Sequence, residues 1–537
     1  MGPATAAASA GPPSTAAATT RAAVLDRADR ESLRDTLRRA VARARRTQRP
    51  VLASWARSEE LADPVATWCR SRRSTQRSLV WQSAWDGGVI VALGTARDLR
   101  GRGAGRIGSV RDHWAALIAN LVTGGPDGPD PSGGAGPLAV GGFAFRPEHI
   151  RPEHIRPEHI RPEHAEPART APGYAKPRLT APGSTEEIIR LPDTLMWVPA
   201  LQLRGTAGEA ADRPGPGELR LNAVLLHDSD PEQTADALIH FAERCLADER
   251  KSEEPRPYPA GRTCDAVPRP GPDDWKQLVR RAVGRIQHGG FEKVVLAREL
   301  AVTSSSPFDV PATVRRLRDT GPGTTVFALD HEEYTFLGAT PEYLVRVAGR
   351  TAHTLGLAGT APRGSTPEQD RALARELAAS AKNRHEHDVV VGMLREVLRA
   401  SCRHVTADPV PSVAQLPHVQ HLSTQVSGEL ADHGTGILDL VEHLHPTPAL
   451  GGHPREESLR WLAANEGLDR SWYAGVVGWT DPAGQGEFGV AIRSALLDGP
   501  RASLYAGCGI VADSDPQAEY AESCAKLRPM LSALEIE

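Results

Sequence analysis

The chain has 537 residues, of which 24% are charged and 40% hydrophobic, with a net charge of -4. These are ordinary values for a globular protein long enough for roughly two to four domains. They exclude an overall field that would draw the chain to nucleic acid or an anionic membrane, and no apolar run approaches the ~18 residues of a membrane span.

Residues 1–20, MGPATAAASAGPPSTAAATT, lack the charged start and apolar middle of a signal peptide; their Ala/Thr/Pro bias predicts a disordered leader. The six cysteines at 69, 245, 264, 402, 508 and 524 form no C-x-x-C pair. Reduced thiols and a cytoplasmic location are expected. Between 21 and 49, Leu33, Leu37 and Val41 fall at i+4 steps and predict a surface helix. Its many arginines could meet an acidic partner, or form a solvated face in which Asp26, Asp29, Glu31 and Asp35 interleave.

From Val51 to about Leu246, short apolar or alternating runs such as SLVWQSAW, PLAVGGFAF, TLMWVPALQL and ELRLNAVLL are bounded by Gly, Pro and Asp. They predict strands joined without long helices, hence antiparallel sheet. Between two of these runs the unit Arg-Pro-Glu-His occurs four times at a period of five, from Arg146 to His164. Its histidines and glutamates suggest a metal site. A proline every five residues instead favours extended chain, whose three-residue turn throws successive histidines onto different faces. Residues 146–190 therefore read as an inserted surface loop, with repeat expansion favoured over metal binding. Residues 251–273, rich in proline and charge, read as a linker.

Beyond 273 the order signals are denser. A helix (DDWKQLVRRAVGRIQHG) leads into the strand FEKVVLARELAV, and strands follow at TTVFALD, YTFLGATP and YLVRVAG. One long helix is predicted from STPEQD to EVLRA, with Thr366 and Gln369 at capping-box spacing and Pro367 in the first turn. The strands YAGVVGW, GEFGVAIRSALL and RASLYAGCGIV come next, and Asp515-Pro516 opens the closing helix.

Four features stand out within these elements. Glu386 precedes Val390, Met393 and Val397 on an apolar helical stripe, where a carboxylate needs an ion-pair partner, such as Lys382 or Arg384, or a cation. Glu519, Glu522 and Lys526 share one face of the closing helix, which is either a solvated face or one wall of a site. Gly507 and Gly509, just before it, would let backbone approach a ligand. Arg493 lies in a strand with small neighbours (Gly489, Ala491, Ala495); it can dock a carboxylate or reach solvent from an edge. Lys293, inside an apolar strand, either snorkels outward or is desolvated into a proton-accepting amine.

The blocks KVVLAR, FLGATPEYLV, LGLAGTAPRG, SAKNRHEHDVVV, VQHLSTQVSG, LHPTPALGGHP, WYAGVVGW, GEFGVAIRSA and YAGCGIVADSDPQAEYAES, in this order over 274–537, resemble the chorismate-utilising enzyme family, most closely its isochorismate-forming branch. VWQSAWDG, VALGTARDL and AVGGFAF extend the resemblance more loosely into 21–250. The resemblance implies an α+β fold of two packed, largely antiparallel sheets flanked by helices. Its N-terminal half would be 21–250 and its catalytic region 274–537. It implies Mg²⁺ held by Glu386, Glu519 and Glu522, Lys293 as general base and Glu342 as general acid. Chorismate would be bound by Gly359, His421, Ala449, Tyr473, Arg493, Gly507 and Lys526.

The implied activity is conversion of chorismate to isochorismate, feeding siderophore, quinone or other metabolism. Members that add ammonia carry glutamine where Lys293 stands and pair with a glutaminase; no glutaminase nucleophile motif or subunit is expected here. The aminodeoxychorismate-forming branch has lysine where Ala358 stands. The salicylate-forming branch shares the lysine, glutamates and arginine and adds pyruvate elimination. A non-catalytic homologue that only binds a carboxylate would be expected to lack some of these groups. No nucleic-acid or membrane partner is expected, and a monomer is the default.

Overall fold

The computed structural model describes residues 24–126, 136–146, 191–206, 215–246, 262–321, 323–415, 419–432 and 434–536. The leader at 1–20 and the RPEH repeat beyond Arg146 lie outside these residues.

The described strands form two sheets, one of thirteen strands and one of ten. Every described pairing is antiparallel except that of Leu52–Trp55 with Leu121–Gly124. Both sheets mix strands from before and after residue 250. In the larger, Thr325–His331 pairs with Arg77–Gln82. In the smaller, Val476–Thr480 pairs with Ala139–Phe143. Helices cover the outer faces, as the α+β expectation requires. Among the described residues no helix is long and apolar enough to cross a membrane.

The strands flanking the repeat are direct neighbours: Ala139–Phe143 pairs antiparallel with Thr194–Val198, Val140 opposite Trp197. The intervening chain is thus an insertion at one strand connection. The stretch read as a linker contains a strand, Cys264–Arg269, which pairs with Lys293–Ser304 at the sheet edge. Pro268 hides this strand from sequence patterning, but an edge tolerates proline because one side of the strand needs no ladder partner.

The Arg-rich helix spans Arg27–Thr47 and buries Leu33, Leu37 and Val41. Its basic face already has an acidic partner in the same chain, the helix Pro231–Leu246. Arg30 pairs with Glu243 at 2.6 Å, Arg34 with Asp236 at 2.7 Å and Arg38 with Glu232 at 2.6 Å.

The predicted long helix is two helices, Pro367–Ala379 and Ala381–Ser401. Thr366 caps the first through the Gln369 amide, as its spacing predicted. Ser380 adopts extended backbone and caps the second through the Asn383 amide at 3.3 Å, which resets the axis. The buried stripe of the second helix is His387, Val390, Leu394 and Leu398. Glu386 therefore sits at the edge of the stripe, not at its centre, with 21% of its side chain exposed.

A second break is more consequential. The strand predicted over GEFGVAIRSALL is two strands in different sheets: Gly486–Val490 in the smaller and Ser494–Asp498 in the larger. The chain crosses between sheets at Arg493, whose φ is 51°, a left-handed conformation uncommon for a side-chain-bearing residue. A parallel crossing occurs between Tyr334–Thr340 in the larger sheet and Tyr343–Ala348 in the smaller, with Pro341-Glu342 as the link. The two crossings brace each other. The Ala339 amide donates to the Arg493 carbonyl at 3.1 Å, and the Val490 amide donates to the Glu342 carbonyl at 2.9 Å. The seam between the sheets thus presents Glu342 and Arg493 from interlocked backbone.

Candidate active site

At this seam lies a cavity of about 260 Å³. All twelve residues singled out from the sequence line it: Lys293, Glu342, Gly359, Glu386, His421, Ala449, Tyr473, Arg493, Gly507, Glu519, Glu522 and Lys526.

Lys293 begins the strand Lys293–Ser304 and is buried. It does not snorkel to solvent: its Nζ donates to Glu386 Oε1 at 2.6 Å. The Glu386 partner is therefore Lys293, not Lys382 or Arg384. The neighbouring strand Arg501–Ile510 makes room for this pair. A Cβ on Gly509 would lie 2.8 Å from Lys293 Cε, and one on Gly507 would lie 3.0 Å from the Tyr473 hydroxyl. These glycines thus let the chain's own side chains cross the strand. The Gly507 carbonyl accepts from Lys526 Nζ at 3.0 Å.

Asp515 caps the closing helix, Pro516–Ala533, through the Ala518 amide at 2.8 Å. That start places Glu519, Glu522 and Lys526 on the cavity wall, so their shared face is not a solvated one. Lys526 pairs with Glu522 at 2.6 Å. Burial pushes the Glu522 carboxyl upward, but Lys526, with Arg493, more than reverses this and holds it below its usual value. Glu519 behaves oppositely. Burial, then the Glu522 charge, raises its pKa to about 7, against a hydrogen bond from Ser514. The Glu519, Glu522 and Cys508 donor atoms lie within 4.8 Å of one another. Glu386, the third predicted metal ligand, is outside this tight group.

Glu342 is 8% exposed. Burial raises its pKa to about 7, although the positive charges of Arg493, Lys293 and Lys526 oppose the shift. At pH 7 about half of this carboxyl is therefore protonated. His421 is neutral: burial, together with Arg493 and Lys526, lowers its pKa to about 3. Its Nδ1 lies 3.2 Å from the Gly359 carbonyl. The Thr360 hydroxyl also lies 3.2 Å from Nδ1 and can donate to it or accept from it, so either ring nitrogen can carry the proton. Gly359 sits at a β-bulge with φ 75°, where a Cβ would press on Asn383 at 3.0 Å. Tyr473 stacks on Tyr505 at 5.3 Å.

Arg493 reaches the cavity from the seam, and no described residue gives its guanidinium a hydrogen bond or ion pair. Burial lowers its pKa. The small neighbours expected to leave it space do not do so; Gly489 is filled by Trp81, 3.1 Å from where a Cβ would lie. The room beside Arg493 comes from the sheet crossing.

Sequence reasoning passed over Arg470 and its partner Glu466. Arg470 lines the cavity, 1% exposed, and donates to the Leu450 carbonyl at 3.0 Å. Glu466 pairs with Arg470 and accepts from the Ala297 amide at 2.9 Å. The pair ties the loop bearing Ala449 to the strand bearing Lys293. Its i,i+4 spacing was visible, but so common a helical pattern does not distinguish a buried clamp from a surface pair. Thr360 and Ser514 also line the cavity without having been singled out, as does Lys382, which was considered only as a partner for Glu386.

A family profile described as "Chorismate binding enzyme" matches residues 39–158 and 180–535. The chain is 34% identical over 509 residues to the salicylate biosynthesis isochorismate synthase of Pseudomonas aeruginosa, covering 94% of each protein. It is 40% identical over 338 residues to the isochorismate synthase MenF of Bacillus subtilis, covering 63% of this chain and 69% of that one. The solved structure of MenF, the menaquinone-specific isochorismate synthase from Escherichia coli, has the same fold: the TM-score is 0.68 over 94% of this chain and 99% of that one, at 23% identity.

Proposed function

The chain belongs to the chorismate-binding enzyme family, and from that membership we propose that it is an isochorismate synthase, converting chorismate to isochorismate with Mg²⁺. One observation carries the assignment within the family. A carboxyl whose pKa burial raises to about 7, Glu342, shares a cavity with Lys293, Arg493 and Lys526.

Chorismate carries two carboxylates, and the unpartnered Arg493 offers one of them a bidentate dock. Lys526 adds a second positive charge, fixed by Glu522 and the Gly507 carbonyl. In its amine form Lys293 accepts a proton from a water whose oxygen bonds to C2. As that bond forms the ring diene shifts and the C4–O bond breaks. Glu342 gives its proton to the departing hydroxyl, which leaves as water. One water enters and one leaves, so the net change is an isomerisation. Deep burial favours the neutral starting state of the acid, while the cavity's cations favour the substrate's negative charge.

The donor set fits a hard divalent cation. Glu519 and Glu522 bring two carboxylates close together in a half-buried site, at the expense of Glu519 ionisation, and a cation would relieve that repulsion. Glu386 lines the same cavity and completes an all-oxygen set. Bound there, Mg²⁺ would neutralise and orient the ring carboxylate without covalent chemistry. Lysine at 293 and alanine at 358 favour water addition over the ammonia-adding and covalent-lysine branches. Six free cysteines suit a reducing cytoplasm.

The test is incubation of purified protein with chorismate and Mg²⁺, followed by separation of products. Isochorismate is the expected product, formed only before chelator is added. Salicylate would move the assignment to the pyruvate-eliminating branch, and absence of turnover would overturn it.

A further inference from the structure

Behind Arg493 and Lys526 lies a second chamber of about 240 Å³, which shares these two residues and Pro341 with the first cavity. Its mouth is at Thr320 and Ser532, both exposed, and its walls include Leu317, Ala339, Val419 and Ala525. The threonine hydroxyls make no polar demand on a guest. Thr320 donates to the Arg316 carbonyl at 2.6 Å and Thr324 to the Gly321 carbonyl at 2.6 Å. Polarity is therefore concentrated at the inner end, where Lys526 is already paired with Glu522. Arg493 is not paired with any described residue. A guanidinium has five donors arranged along more than one edge, and a single carboxylate occupies two of them. One carboxylate in the first cavity leaves donors that can serve the second.

We propose that the outer chamber is a separate binding site for a small monocarboxylate with an apolar body, its carboxylate on Arg493 and its body against Leu317, Ala339 and Ala525. The inference stands on the second chamber and the unpaired arginine; only the kcat and KM control rests on the reaction proposed above.

The probe is benzoate, with benzamide as its uncharged isostere, titrated calorimetrically into the full chain without substrate. Benzoate is expected to bind and benzamide to bind at least tenfold more weakly. Ala525→Leu and Leu317→Phe narrow the chamber from opposite walls, and each should weaken benzoate binding at least tenfold while kcat and KM for chorismate change less than about twofold. Far-ultraviolet dichroism and melting confirm that each variant is folded, and either variant suffices if the other is not. Absence of benzoate binding overturns the proposal. So does equal binding by benzamide, which would remove the arginine anchor. Undiminished benzoate binding in a folded filled variant also overturns it by placing the ligand in the first cavity. Calorimetry reads binding without turnover, so failure here is distinct from failure of the proposed reaction.

Discussion

Replacing Glu342 with glutamine should abolish turnover and yet stabilise the protein at alkaline pH. The carboxyl is buried, and its pKa rises from 4.5 to about 7 on folding. A group whose folded pKa is raised adds no destabilisation below its unfolded value; stability is lost as pH rises through the folded one. At about 1.4 kcal/mol per pH decade, the ionised carboxylate destabilises the fold by about 3 kcal/mol above pH 8. At about pH 5.5 the same linkage gives a loss of only about 1.4 kcal/mol, so the loss grows by about 2 kcal/mol between pH 5.5 and 8.5. Glutamine does not ionise, so the variant escapes this loss, although its buried amide gives back about 1 kcal/mol or more. Urea unfolding of both proteins at the two pH values, with chelator present, measures the difference. Glu519 also titrates near 7 but is common to both proteins, so the difference isolates Glu342. A stability gap that does not widen in favour of the variant from pH 5.5 to 8.5 would refute the buried-acid account. In the wild type, kcat/KM should fall as pH rises past about 7, because the proton donor is lost.

Other perturbations address the remaining groups. Lys293→Met removes the proposed base and leaves Glu386 without its partner; kcat should drop by at least about a hundredfold with the dichroism spectrum unchanged, and an active variant would exclude Lys293. Glu522→Gln should raise the Mg²⁺ concentration for half-maximal activity by about tenfold or more. In the wild type that concentration should also rise as pH falls below about 7, since a proton on Glu519 competes with the metal. Far from the cavity, Arg72 is bidentate on Asp330, which also accepts from Ser78 at 2.7 Å. Arg72→Ala leaves that carboxylate buried and unpaired, and should destabilise by about 3–5 kcal/mol in urea unfolding with little effect on KM.

Much of this protein was legible in its sequence, though unevenly. Caps were reliable where one side chain and one amide decide the outcome, as at Thr366 and Asp515. The family blocks contain eleven of the twelve candidate site residues, with Lys526 just past the last block, and all twelve line one cavity. Local patterning alone did less well. It placed Arg493 in a continuous strand, because the six residues around it read as sheet and nothing local reports which sheet each belongs to. It joined two helices across Ser380, a residue tolerated in helices whose capping role depends on the backbone turning there. It missed the strand Cys264–Arg269, whose only support is its neighbour.

What the sequence determined by itself was the set of chemical groups, the helix starts, the alternating strands and the location of the repeat between two strands. Only the tertiary structure decided which charges are partnered. Lys293 and Glu386 are 93 positions apart yet 2.6 Å from each other, while Arg493 meets no described partner at all. The reason is that pairing, burial and the resulting pKa values depend on which strands cross between sheets. That crossing is braced by contacts between residues 154 and 148 positions apart, Ala339 with Arg493 and Glu342 with Val490, which no local window of the chain contains.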